Sequence, residues 1–170
     1  MQKTHNTLPE EIRIQSVELL NLNLAAAIDL HAQMKQAHWN VRGPSFIAIH
    51  ELFDKVSTAV EDYSDLLAER AGGLGGTANG TLQTAIKHSY LNPYPLGIAD
   101  ELQHLFAVSN VLAAFGGSMI EAIEKSTEIG DPTTADLFTE ISRGVDQQLW
   151  FVESHLAPKQ EHPEMKKKKK

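Results

Sequence analysis

Five potential metal ligands lie on two predicted helices, which are separated by a Gly-Pro break at 43–44. Four of them follow the break as two pairs, each with a spacing of four residues. At about 100° per residue, all four fall within roughly a 100° arc of one helix face. Most neighbours on that face are apolar, and carboxylates on an apolar stripe are costly unless a cation pairs with them. The pattern therefore predicts a cation-binding face. The five ligands are His38, His50, Asp54, Asp65 and Glu69.

The separation between the two pairs limits how they can act. Asp54 and Asp65 are eleven residues apart, which is roughly 16 Å along a helix at about 1.5 Å per residue. Two aspartate side chains and two metal bonds of about 2.1 Å cannot cross that distance. One helix therefore carries two half-sites. If the helix packs antiparallel against a second copy of itself, each half-site meets the other half-site of the partner, and two equivalent sites result. The sequence predicts a dimer with metal sites at its interface.

His38 completes one half-site. It lies near the end of the first predicted helix, and the break permits a hairpin that returns His50 to the level of His38. Imidazole combined with carboxylate suits iron, manganese or zinc better than calcium or magnesium.

Spacing alone leaves one alternative, a polar stripe that pairs with Lys or Arg across a dimer seam. A single Glu-x-x-His match at 101–104 lacks the second copy that a di-iron centre within one bundle needs, so we interpret it as ordinary polar positions.

The spacing of apolar and turn residues predicts an all-α chain with four long helices and one short helix. A capping box at 7–10 (Thr-Leu-Pro-Glu) opens the first helix, a glycine-rich run at 72–76 ends the second, and Asp131 with Pro132 caps the last. The stretch 77–95 is the long crossover of a four-helix bundle. The predicted helices cover about 7–40, 45–71, 82–88, 97–129 and 131–156.

Composition limits the class of protein and its compartment. The chain of 170 residues has no cysteine, which excludes disulfides and thiolate metal sites and fits a reducing compartment. Its N-terminus is polar and lacks the apolar segment of a signal peptide, and no apolar stretch approaches the length of a membrane span. We expect a cytoplasmic protein without a membrane partner. One domain covers 1–157, and a polar, lysine-rich tail covers 158–170.

Several long sequence runs resemble the Dps family, the DNA-binding proteins from starved cells, which are bacterial mini-ferritins. The runs are KQAHWNVRGP at 35–44, AER at 68–70, LGG at 74–76, GDPTTAD at 130–136 and LWF at 149–151. The resemblance extends over roughly residues 8–157. It implies a ferritin-like four-helix bundle with a short extra helix in the long crossover between helices two and three.

The resemblance also implies an activity, because all five ferroxidase ligands of the family pattern have counterparts here. These proteins oxidise Fe²⁺, with hydrogen peroxide favoured over dioxygen, and store ferric mineral in a hollow homododecamer built from two-fold dimers. We therefore expect an iron-dependent ferroxidase that protects against oxidative damage. A rival hypothesis is a zinc- or manganese-binding protein with no turnover.

Other residues receive supporting roles from the resemblance, each with a structural alternative. Trp39 is expected close to the iron site, and its alternative role is an apolar anchor at the end of the helix. His31 shares a helix face with His38, either as a neighbour of the site or as a buried structural histidine. The family uses the start of the last helix to line pores for Fe²⁺, whereas an acidic first turn also simply complements the helix dipole. The candidate pore residues are Asp131, Asp136 and Glu140.

DNA binding is a separate question that depends on the lysine run Lys166–Lys170. Without those five residues the chain has 10 basic and 22 acidic residues, so its formal net charge changes from −7 to −12. An acidic body repels a phosphate backbone, whereas many copies of the tail in an oligomer would hold DNA at low salt. The alternative is a solvated tail without a partner. If the tail binds DNA, it favours a rival to the ferroxidase from another class of function, a nucleoid-compacting DNA-binding protein whose metal site only staples the dimer.

Overall fold

Five helices make up the body of the protein in a computed structural model that describes residues 1–156. The tail 158–170 and its lysine run lie outside the described residues. Within residues 1–156 there is no strand, apart from one isolated bridge between Arg42 and Asp100. The predicted all-α class and the short helix in the crossover are confirmed. The helices are α1 (Glu10–Asn40), α2 (Phe46–Gly73), α3 (Leu82–His88), α4 (Glu101–Glu128) and α5 (Pro132–Glu153).

The helices form two antiparallel hairpins that pack on each other. α1 pairs with α2, α4 pairs with α5, and the hairpins meet where α1 contacts α4 and α2 contacts α5. Apolar side chains at helical spacing fill the space between them, with Phe53, Phe115 and Phe138 fully buried. The crossover carries α3 along α1. The bundle leaves the outer face of the α1–α2 hairpin, which carries the predicted ligands, outside the core.

The crossover is fixed to α1 by side-chain hydrogen bonds. Ser89 Oγ donates to Asp29 Oδ2 at 2.6 Å, and the Tyr90 hydroxyl donates to Asn23 Oδ1 at 3.0 Å. Burial raises the pKa of Tyr90 to about 12. These bonds satisfy polar groups that the crossover buries against the bundle.

The cap of α5 is as predicted, whereas the starts of α1 and α4 differ from their predictions. Asp131 caps α5, as predicted, and accepts a hydrogen bond from Thr134 N at 3.0 Å. The capping box at 7–10 is not formed, because Pro9 occupies the cap position of α1 without a side-chain bond. α4 begins at Glu101 and not near 97, because Gly97 has a φ of +86° and Asp100 caps the helix instead.

α4 corrects one further expectation. By length and composition it is apolar enough to cross a membrane, with a mean hydropathy of 1.5 over eighteen residues, so the statement that no apolar stretch approaches a span was wrong. One face of α4 lies in the core, where Leu105, Leu112 and Phe115 are buried.

Candidate metal centre

His38 and His50 hold each other in place where α1 ends and α2 begins. His38 Nδ1 lies 2.8 Å from the His50 carbonyl oxygen, and His50 Nδ1 lies 2.8 Å from the His38 carbonyl oxygen. Because a carbonyl only accepts, each Nδ1 carries the hydrogen and each Nε2 keeps its lone pair. This is the arrangement in which a histidine serves as a metal ligand oriented by a second hydrogen bond. The break between the helices makes it possible by returning α2 alongside α1.

The two rings and Asp54 form one cluster. The rings stack with their centroids 3.7 Å apart and their planes 21° apart. His38 Nε2 lies 3.9 Å from Asp54 Oδ1. The Phe46 ring lies 5.0 Å from the His50 ring. The structure thus brings together the predicted half-site of two imidazoles and one carboxylate.

Lys35 is part of this cluster, although the sequence analysis did not single it out. Its Nζ donates to Asp54 Oδ1 at 2.7 Å. This hydrogen bond holds the pKa of the Asp54 carboxyl below its usual value, helped by the nearby charge of Lys35 itself and by the two histidines. The signal that could have revealed it is spacing, because Lys35 lies three residues before His38 and therefore on the same helix face.

Asp65 and Glu69 lie exposed farther along α2, apart from the cluster. Within residues 1–156, no group of three or more His, Asp or Glu side chains is arranged to hold a metal ion in a single chain. The two predicted half-sites are therefore separate in one chain: His38, His50 and Asp54 lie together, whereas Asp65 and Glu69 lie farther along α2.

Trp39 and His31 flank the cluster differently. Trp39 is 68% exposed, and Lys35 Nζ lies 6.0 Å from the centroid of its ring. It does not anchor the end of the helix in the core. His31 is half-buried, and its Nδ1 lies 3.1 Å from the Ser57 carbonyl oxygen. It therefore lies beside α2, and within the described residues it has no hydrogen bond to His38, His50 or Asp54.

Asp131 is fully buried. Its carboxylate accepts hydrogen bonds from Ser16 Oγ at 2.8 Å, from the backbone and hydroxyl of Thr134, and from Arg70 Nη2 at 2.9 Å. Burial alone would raise the pKa of Asp131, but the bonds from Thr134 and Ser16 and the charge of Arg70 outweigh it, so this pKa lies below its usual value. A carboxylate enclosed in this way joins α1, α2 and α5. In the single chain this carboxylate is not exposed, and the pore role stays a prediction.

Asp136 and Glu140 differ from Asp131 because both are exposed on α5. They are four residues apart and share one helix face. Their role as pore residues stays a prediction.

The Glu-x-x-His match has structural roles. Glu101 Oε2 accepts a hydrogen bond from Ser45 N at 2.9 Å, at the start of α2. His104 is fully buried, with its Nδ1 2.6 Å from the Tyr94 hydroxyl and its Nε2 3.1 Å from the Ile98 carbonyl oxygen. Burial lowers the pKa of His104. Both ring nitrogens are engaged within the chain, so neither residue is presented to a metal.

Comparisons with known proteins agree with this architecture. A family model described as a ferritin-like domain matches residues 17–159. The chain is 44% identical over 157 residues to the DNA protection during starvation protein of Agrobacterium fabrum, with 92% of this chain and 97% of that protein covered. DpsA14 from Streptomyces coelicolor superposes with a TM-score of 0.86 at 37% identity over 92% of each chain. The tetragonal form of Mycobacterium smegmatis Dps gives a TM-score of 0.88 at 30% identity, over 94% of this chain and 96% of that chain.

Proposed function

Because the chain belongs to the Dps family of ferritin-like proteins, we propose that it is a ferroxidase that oxidises Fe²⁺ and stores the ferric product. The observation that carries this proposal is the reciprocal orientation of His38 and His50, which presents two Nε2 lone pairs beside Asp54. Structural histidines bond through both ring nitrogens, as His104 does. These two leave the metal-binding nitrogen pointing away from the backbone.

A two-fold dimer completes each centre. In an antiparallel register, Asp54 lies opposite Asp65 of the partner subunit, and His50 lies opposite Glu69 of the partner subunit. Each centre then has three ligands from one chain and two from the other. Five ligands are enough for a pair of Fe²⁺ ions. Two Fe²⁺ give one electron each to one hydrogen peroxide molecule, which takes up two protons from solvent and becomes two water molecules, leaving two Fe³⁺. Delivering the electrons as a pair avoids the one-electron step that releases hydroxyl radical. The protein contributes the arrangement, and the iron contributes the redox chemistry.

The same proposal includes assembly and iron entry. Two-fold dimers associate into a hollow dodecamer in the bacterial cytoplasm, and Asp136 and Glu140 line the entry channels, where converging carboxylates attract cations. Trp39 lies exposed beside each centre and shields it from bulk water once the partner covers it. Replacing Asp136 with asparagine should slow iron uptake by the assembled protein.

The direct test is anaerobic loading with Fe²⁺ followed by hydrogen peroxide, monitored by ferric absorbance and by the iron-to-protein ratio. Rapid oxidation and retained iron are expected. Metal that binds without ferric product would favour the zinc- or manganese-binding hypothesis and contradict the ferroxidase.

A second experiment tests whether each centre is shared between two subunits. One variant carries His50→Ala with Asp54→Ala, and the other carries Asp65→Ala with Glu69→Ala. Each should be inactive alone, whereas subunit exchange between them should restore activity, because a mixed dimer contains one intact centre and one doubly broken one. If mixed dimers form and no activity returns, the shared-centre arrangement is wrong.

DNA binding is a second candidate function, favoured by the lysine run Lys166–Lys170 and by the name of the Agrobacterium relative, a DNA protection during starvation protein. The acidic body has a formal charge of −12 without that run. Binding would therefore depend on the tail and weaken steeply with salt. A nucleoid-compacting protein with a structural metal site would bind DNA and show no ferroxidase turnover.

A further inference from the structure

A third histidine on the α1–α2 face has the orientation of the two ligand histidines. His31 Nδ1 lies 3.1 Å from the Ser57 carbonyl oxygen, as His38 and His50 each use Nδ1 toward a backbone carbonyl. The Ser57 hydroxyl, 3.2 Å away, can share the same hydrogen as an acceptor. The carbonyl contact places the hydrogen on Nδ1 and leaves the lone pair on Nε2. Within residues 1–156, no hydrogen bond or ion pair engages His31 Nε2.

The place of His31 on α1 puts its Nε2 on the proposed dimer interface, apart from the ferroxidase ligands. His31 precedes His38 by seven residues, so it lies on the same face of α1, about 10.5 Å farther along the helix. Ser57 follows His50 by the same seven residues on α2. The His31–Ser57 contact therefore repeats the His38–His50 contact about two helical turns farther along the hairpin, and it presents a second outward-facing imidazole.

Glu61 supplies the matching carboxylate. It is exposed on α2, about 20° from Asp54 around the helix axis at about 100° per residue. Together with Asp65 it lines a groove over Leu24 and Ile28, between α1 and α2. No ion pair engages Glu61 in the described part of the chain.

The antiparallel register brings these groups together. If Asp54 lies opposite Asp65 of the partner subunit, then Thr58 lies opposite Glu61 of the partner subunit. Thr58 follows Ser57, the residue that orients His31. In that register each dimer would have two positions where His31 of one chain faces the other chain's Glu61.

We propose that His31 and Glu61 of the partner subunit bind a divalent transition-metal cation, with water completing its coordination. This inference rests on the two-fold dimer of the proposed function. Imidazole with carboxylate suits Zn²⁺, Fe²⁺ or Co²⁺. The ligand face of α2 carries four carboxylates, and covering Glu61 in the interface without a cation would be unfavourable. A cation there links the two subunits at a site separate from the five ferroxidase ligands.

The test uses Co²⁺ with the assembled full-length protein. His31→Asn keeps an amide that can donate to the Ser57 carbonyl but removes Nε2, and Glu61→Gln keeps the shape but removes the charge. His88→Asn changes an exposed histidine of α3 and is the matched control. Equilibrium dialysis should show that each of the first two variants loses one Co²⁺ per subunit and that the control loses none.

Anomalous scattering from Co²⁺-loaded crystals then separates this inference from the ferroxidase proposal. The wild type should show Co²⁺ beside His38 and His50 and a second peak at His31 Nε2. Absence of the second peak, unchanged stoichiometry in both variants, or a direct hydrogen bond from His31 to the carboxylate would overturn the inference. Absence of the first peak would instead count against the ferroxidase centre. If His31→Asn fails to assemble, Glu61→Gln decides the stoichiometric result.

Discussion

Replacing Asp131 with asparagine removes one negative charge from a fully buried site and leaves the shape of the side chain nearly unchanged. Four hydrogen bonds end on this carboxylate, and one of them comes from the Arg70 guanidinium. An asparagine amide nitrogen would meet donors that it cannot accept from. The substitution therefore tests whether Asp131 stabilises the fold, as its burial indicates, or serves iron entry, as its sequence position indicated.

The expected loss of stability follows from the burial of the Asp131–Arg70 ion pair. Breaking a buried ion pair by removing one partner costs about 3–5 kcal/mol. The Arg70 side chain is still 17% exposed, and asparagine keeps one acceptor oxygen. We therefore expect a loss somewhat below that range, about 2–3 kcal/mol. At about 2–4 °C per kcal/mol for a domain of this size, Tm should fall by roughly 5–10 °C.

The loss should depend on pH in a defined direction. The folded-state pKa of Asp131 lies below its usual value, so its contribution is present above the unfolded pKa of about 3.9 and is lost as pH falls through the lower folded pKa. The stability difference between wild type and Asp131→Asn should be constant from neutral pH down to about pH 5 and should shrink below about pH 4.

Thermal and urea unfolding, followed by circular dichroism at one fixed subunit concentration, would measure both effects, because assembly is linked to apparent stability. Asp136→Asn is the matched control. It removes the same charge from an exposed position of α5 and should change stability by less than about 0.5 kcal/mol. The reasoning fails if Asp131→Asn unfolds like the wild type, or if the two variants lose equal stability.

Three further predictions test other features. Lys35→Met removes the ammonium group that pairs with Asp54, a proposed metal ligand. Because the pair is exposed, the change should raise Zn²⁺ affinity by up to about fivefold; calorimetry showing weaker binding would contradict this. Gly144→Ala places a methyl group against the Tyr63 hydroxyl and should destabilise the protein by about 1–3 kcal/mol. Gly117→Ala meets open space on α4 and should stabilise it by about 0.5–1 kcal/mol in the same urea assay, so equal effects would refute the packing argument. Deleting Lys166–Lys170 should abolish gel retardation of DNA and leave ferroxidase rates near wild type; retained, salt-insensitive retardation would mean that another surface binds DNA.

Local sequence signals determined much of this protein. Helical spacing and the break at 43–44 were enough to predict the α1–α2 hairpin and to place His38 beside His50. The eleven-residue spacing of Asp54 and Asp65 ruled out a shared site within one helix. These inferences succeed because the geometry of an α-helix is regular, so residue number converts directly into distance and direction.

Only the tertiary structure showed which polar residues are buried and how their side chains are oriented, because residue spacing does not contain that information. Asp131 and Asp136 look alike in sequence, but only Asp131 is enclosed by Arg70 and Ser16, which come from other helices. The orientation of the His31 ring depends on the Ser57 carbonyl oxygen of α2, and the residue that pairs with Asp54 is Lys35 of α1. Burial and hydrogen bonding between helices depend on packing of segments far apart in sequence, and packing determines which of several similar polar residues faces solvent, core or metal.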